Sequence, residues 1–65
     1  MEITLNNNKI QTQAATIQNL IDSLNLKDHN IVVELNLQII KKVNWAQTTL
    51  HKGDNIEIIT FMGGG

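Results

Sequence analysis

The residues best suited to chemistry stand at the end of the chain. Phe61-Met62-Gly63-Gly64-Gly65 puts three glycines directly after an apolar run and stops on an α-carboxylate. Fully extended, three residues reach about 10 Å at roughly 3.3–3.6 Å each, far enough to enter a cleft in another protein. Without Cβ atoms the arm can thread a narrow channel and leave its last carbonyl open to attack from either side. At neutral pH an α-carboxyl is an anion and a poor electrophile. It needs covalent activation: a nucleotide-using enzyme makes an acyl adenylate, and a nucleophile then displaces AMP. Gly65 would be the reacting residue, Gly63 and Gly64 the tail that delivers it, and the chain a substrate rather than a catalyst. A frayed end or a linker remnant is the plain alternative. Linkers commonly mix in serine or run on into a tag, whereas glycine here follows a strand-like segment at once.

Other catalytic sets fail by inventory. His29 and His51 are the two imidazoles, without the i, i+4 spacing of a helical metal site, and read as surface or loop histidines. Ser23 is the single serine and has no nucleophile-elbow motif around it. Glu2, Asp22, Asp28, Glu34, Asp54 and Glu57 are spread over separate segments, so spacing assigns no carboxylate pair to acid–base work. No catalytic residue and no metal site is expected. Cysteine is absent, which excludes disulfides and thiolate–zinc sites and leaves the chain without a thiol of its own.

The elements that must hold the tail can be traced along the chain. Met1 to Asn6 alternates with period two, with Met1, Ile3 and Leu5 on one side. Asn6-Asn7-Asn8 tolerates the left-handed backbone of a tight hairpin, returning the chain as a short edge strand over Lys9 to Gln13. Thr16 is placed as a helix N-cap, and Ile17, Leu20, Ile21 and Leu24 form an apolar stripe of about two and a half turns. Asn25 closes the helix in the left-handed region, and Leu26 folds back on it. Asn30 to Asn36 reads as a third strand, Ile31, Val33 and Leu35 facing the helix with Val32 and Glu34 opposite. A turn at Asn36 to Gln38 leads to a brief strand at Ile39-Ile40-Lys41. Lys42 to Trp45 suits one short helical turn, with Trp45 expected in a satellite cluster and its indole N–H bonded to backbone or water. Gly53-Asp54 then launches the last strand, Asn55 to Met62, Ile56 and Ile58 pointing inward and Ile59 and Phe61 outward.

One helix on one face of a mixed four- or five-stranded sheet is an α+β arrangement, and this order fits the β-grasp architecture with its first and last strands parallel at the centre. The expected organisation is a single domain over residues 1–62 and a flexible glycine tail over 63–65. At 65 residues the core is thin, and no second domain fits. Apolar residues at 42% against 17% charged are globular usage. Five lysines, no arginine and a net charge of -1 offer no basic face for nucleic acid. No apolar run approaches membrane-spanning length and the start is not basic, so neither membrane nor export is expected, and the cytoplasm is the expected address.

The assembled pattern resembles the sulfur carrier proteins of thiamine biosynthesis, a ubiquitin-like family, over the whole chain. The residues that carry the resemblance are Asn36, Trp45-Ala46, Leu50 with Gly53-Asp54, and Ile56-Glu57-Ile58-Ile59 through Phe61 into Gly63-Gly64-Gly65. Lys41-Lys42 departs from the Pro-Arg of many members and leaves partner contacts near that turn open. The resemblance implies that a ubiquitin-activating-like adenylyltransferase, using ATP and magnesium, adenylates Gly65. A persulfide donor such as a cysteine desulfurase then supplies sulfur for a thiocarboxylate, which thiazole synthase receives. The molybdopterin synthase small subunit, a ubiquitin-like protein modifier and a β-grasp interaction module with an inert tail are the competing readings. Period-two alternation leaves Val32, Ile59 and Phe61 on the face away from the helix. In a β-grasp order they form an apolar patch leading to the tail, expected to dock the activating enzyme.

Overall fold

The computed structural model describes residues 1–26 and 30–61. In chain order the elements are β1 (Glu2–Leu5), β2 (Asn8–Gln11), α1 (Ile17–Ser23), β3 (Ile31–Leu35), β4 (Gln38–Ile40), a 3-10 helix (Lys42–Gln47) and β5 (Asn55–Thr60). The strands form one sheet in the order β2-β1-β5-β3-β4. β1 and β5 are parallel neighbours, and the other three pairings are antiparallel. This is the α+β, β-grasp order that the spacing of the elements suggests.

Each hairpin turns on two residues in the left-handed region: Asn6 and Asn7 at φ 49° and 70°, Asn36 and Leu37 at φ 51° and 73°. Paired positive φ values are what a two-residue hairpin matching the strand twist requires. The turns are shorter than expected, so β2 and β4 each start one residue earlier than the sequence suggests and also end earlier. Met1 lies beyond the ladder and is exposed; its ammonium donates to the Thr12 carbonyl at 2.9 Å instead of its side chain entering the core.

Thr16 does cap α1, its hydroxyl accepting from the Asn19 N–H at 3.1 Å. The helix holds seven residues, about two turns, and Asn25 follows at φ 57°. So short a helix does not persist alone in water. It is held by Ile17, Leu20 and Ile21, buried against Ile3, Val33, Ile56 and Ile58 of the sheet. Its start is tied to the long crossing segment by Ile17 N–H to the Thr48 carbonyl at 3.0 Å and Leu50 N–H to the Ala15 carbonyl at 2.9 Å. Burial of each such aliphatic side chain contributes roughly 1.5–3 kcal/mol.

The crossing segment differs from expectation. Its 3-10 helix spans six residues rather than one turn, and Trp45 is fully buried in the main core with Leu50, not in a satellite cluster. The indole N–H donates to the Ile40 carbonyl at 2.9 Å, so the ring enters the core without an orphaned donor. Among the described residues no helix is long and apolar enough to cross a membrane.

Candidate functional site

β5 runs through the middle of the sheet, and Gly63-Gly64-Gly65 follows it in the sequence. The β3–β5 register sets Val32 opposite Ile59, Glu34 opposite Glu57 and Ile31 opposite Thr60. Phe61 N–H still donates to the Asn30 carbonyl at 3.1 Å. Chain direction is therefore fixed by the sheet up to Phe61. Gly65 follows four residues later. Met62, the expected end of the last strand, and the tail residues Gly63, Gly64 and Gly65 lie outside the described residues, as do Asp28 and His29.

On its β1 side, β5 outlasts its partner. β1 pairs only as far as Leu5 opposite Ile56, after which the backbone N–H of Asn6 donates to the Ile56 carbonyl at 2.9 Å. The Asn6 side chain then supplies the next acceptor, taking the Ile58 N–H at 2.8 Å. On the other side Asn36 does the same at the start of β5. Its backbone N–H donates to the Asn55 carbonyl at 2.8 Å, its Oδ1 accepts the Asn55 N–H at 2.9 Å, and its Nδ2 donates to Asp54 at 3.1 Å. Asp54 also accepts the His51 N–H at 2.7 Å, closing the turn in which Gly53 stands at φ 85°. A Cβ at Gly53 would meet nothing within 4 Å, so positive φ and not crowding is what glycine answers there.

The alternation of β5 is as expected. Ile56 and Ile58 are buried, while Ile59 is 45% and Phe61 51% exposed. Val32, half-buried, lies directly across from Ile59 on the same outer face, and Phe61 is two residues further along it. The three form one apolar strip that runs toward the end of β5. His51 and Ser23 are exposed, as expected; Ser23 donates to the Leu20 carbonyl at 2.7 Å and His51 stands 4.0 Å from Asp54. Among the described residues no group of three or more His, Cys, Asp or Glu could hold a metal.

One relationship escaped the sequence. Glu34 and Glu57 lie 23 positions apart in the chain, yet they are register partners on the outer face, beside Val32 and Ile59. Spacing alone cannot show such a pair; only the antiparallel alignment of β3 with β5 brings it together.

The fold defines the class: a ubiquitin-like β-grasp domain, in whose sequence three glycines follow the last strand. The ThiS family model matches residues 1–65. The sulfur carrier protein ThiS of Bacillus subtilis (strain 168) is 39% identical over 57 residues, covering 88% of this chain and 86% of that one. A thiazole synthase of Paramagnetospirillum magneticum is 33% identical over 66 residues; all of this chain is covered, but only 20% of that protein's length. The crystal structure of the thiamine biosynthesis protein ThiS from Geobacter metallireducens superposes with a TM-score of 0.83 at 29% identity, covering both chains fully. The chain belongs to the ThiS family, the sulfur carriers of thiamine biosynthesis.

Proposed function

We propose that sulfur travels on the terminal carbonyl of Gly65. The Gly65 carboxylate attacks the α-phosphorus of ATP, bound with magnesium in a ubiquitin-activating-like adenylyltransferase, and pyrophosphate leaves. The terminal sulfur of a persulfide, held on a donor such as a cysteine desulfurase, then attacks the acyl carbon and displaces AMP. A second thiol attacks the donor sulfur of the resulting acyl disulfide, leaving a disulfide and releasing the thiocarboxylate. Thiazole synthase consumes that sulfur. The observation carrying this reading is the Gly63-Gly64-Gly65 run that follows the central strand β5 within a few residues of sequence. The family membership and the thiazole synthase that contains a stretch similar to this chain support it. A cytoplasmic setting fits, because the reaction draws on ATP and a reducing thiol pool.

Val32, Ile59 and Phe61 form the surface on which the activating enzyme docks, since they line the outer face up to the end of β5 and are exposed or half-buried. Incubation with the activating enzyme, ATP, magnesium and a persulfide donor is expected to exchange one terminal oxygen for sulfur, read by intact-mass measurement. Removing Gly64 and Gly65 should abolish both this change and thiazole formation; normal thiazole formation without them would overturn the reading. Phe61→Asp is expected to slow adenylation while leaving the thermal melt in place, and unchanged adenylation kinetics would remove the docking role.

A further inference from the structure

The outer face carries a feature that the apolar strip alone does not explain. Glu34 and Glu57 stand directly across from each other in the two strands that also hold Val32 and Ile59. Asn36 N–H to Asn55 carbonyl and Phe61 N–H to Asn30 carbonyl mark the hydrogen-bonded pairs of this ladder, and counting by twos places Glu34 with Glu57 and Val32 with Ile59 among them. The four side chains therefore project from one face in two adjacent ranks, separated by about 7 Å along the strands. Like charges directly opposite in an antiparallel pair are destabilising. Among the described residues neither carboxylate takes a hydrogen bond or an ion pair. The β3–β4 register, continued by one residue, sets Lys41 beside Val32, diagonal to Glu34. On the other flank β1 brings Thr4 opposite Asn55 and Leu5 opposite Ile56, and its last contact with β5 is the neutral amide of Asn6. Glu57 thus has no cation beside it from either neighbouring strand.

This pair constrains whatever covers the apolar strip. A partner surface packed on Val32, Ile59 and Phe61 also covers the adjoining rank and takes water from the carboxylates of two half-buried residues. Dehydrating unpaired carboxylates is strongly unfavourable, and the remedy is a hydrogen-bonded cation. A guanidinium suits the geometry better than an ammonium, because its planar fork can bond two carboxylates at once. Resting on the docking surface proposed above, we infer that the adenylating enzyme presents an arginine between Glu34 and Glu57, flanked by apolar side chains that cover Val32, Ile59 and Phe61. The like-charge pair is a local strain in the free carrier that this arginine relieves on docking.

The test uses the full chain with its adenylating enzyme and ATP, reading pyrophosphate release over a range of ionic strength. Glu34→Gln with Glu57→Gln is expected to raise the KM for the carrier about tenfold at low salt, to leave kcat unchanged and to flatten the salt dependence of KM. The same double variant should melt a few degrees higher than the parent, since the repulsion is gone. Glu57→Gln alone should give about a threefold rise in KM. An unchanged or lowered KM in the double variant overturns the arginine. If Phe61→Asp raises KM while the glutamate variants do not, the docking surface stands and the arginine falls. If none of these variants changes KM, both fall together.

Discussion

The two hairpin turns are built alike and differ in one residue. Each opens on an asparagine near φ 50°, and each asparagine donates its backbone N–H to β5 and accepts a β5 N–H with its side chain. The central strand is thus grasped at its start by Asn36 and at its middle by Asn6. The second turn residue is Asn7 in one hairpin and Leu37 in the other, with φ 70° and 73°. Asparagine visits that region readily; leucine does so at a cost of roughly 1–2 kcal/mol. Leu37 is also 84% exposed, so burial returns nothing for the strain. The first residue of each turn is thus selected by what it bonds, and the second only by the backbone it tolerates.

The largest effects should follow loss of the asparagine clasps. Asn6→Ala is expected to cost about 3 kcal/mol, because it strands a part-buried N–H and places alanine in the left-handed region. Asn36→Ala should cost about 2 kcal/mol, since water can reach the exposed Asn55 N–H it abandons. In a domain of about 5 kcal/mol total stability, urea unfolding resolves the two. Equal losses would show that exposure of the abandoned donor is immaterial. Exchanging the second residues is the next step down: Asn7→Leu should destabilise by about 1 kcal/mol, and Leu37→Asn should stabilise by slightly less. If neither moves the unfolding midpoint, the turns tolerate leucine equally and the contrast fails. Smallest is Lys41→Pro, at the exit of the second hairpin. Lys41 has φ −66°, the preceding Ile40 is extended, and the ladder register turns the Lys41 N–H away from β3. A gain of about 0.5 kcal/mol is expected, read from the same unfolding curves.

Much of the architecture was legible because its signals are local. Ile17, Leu20 and Ile21 repeat at helical spacing, Thr16 sits where a cap belongs, and β5 alternates buried Ile56 and Ile58 with exposed Ile59 and Phe61. The outward placement of Val32, Ile59 and Phe61 was read from the same alternation, joined by the order of the strands. What escaped depends on contacts between distant residues. The Asn6 bond to Ile58 spans 52 positions, and nothing near Asn6 distinguishes a plain turn residue from one that also extends the ladder. Trp45 reached the main core because six residues of 3-10 helix, not one turn, carry it over the sheet end, and Ile40 happens to offer its carbonyl there. The Glu34–Glu57 pair emerges only once the strand register is known.

The position of β5 also has a consequence for how the protein comes to exist. The hairpins β1–β2 and β3–β4 meet in the sheet only through this strand, which is the last element of the fold to leave the ribosome. A nascent chain halted before Asn55 holds two disconnected ribbons, each too small to be stable alone. Closure must await a pairing between residues half a hundred positions apart, which makes collapse late and slow relative to a helical bundle of the same size. Completed folding therefore certifies that synthesis has run through Thr60, the last residue of the strand that joins the two ribbons.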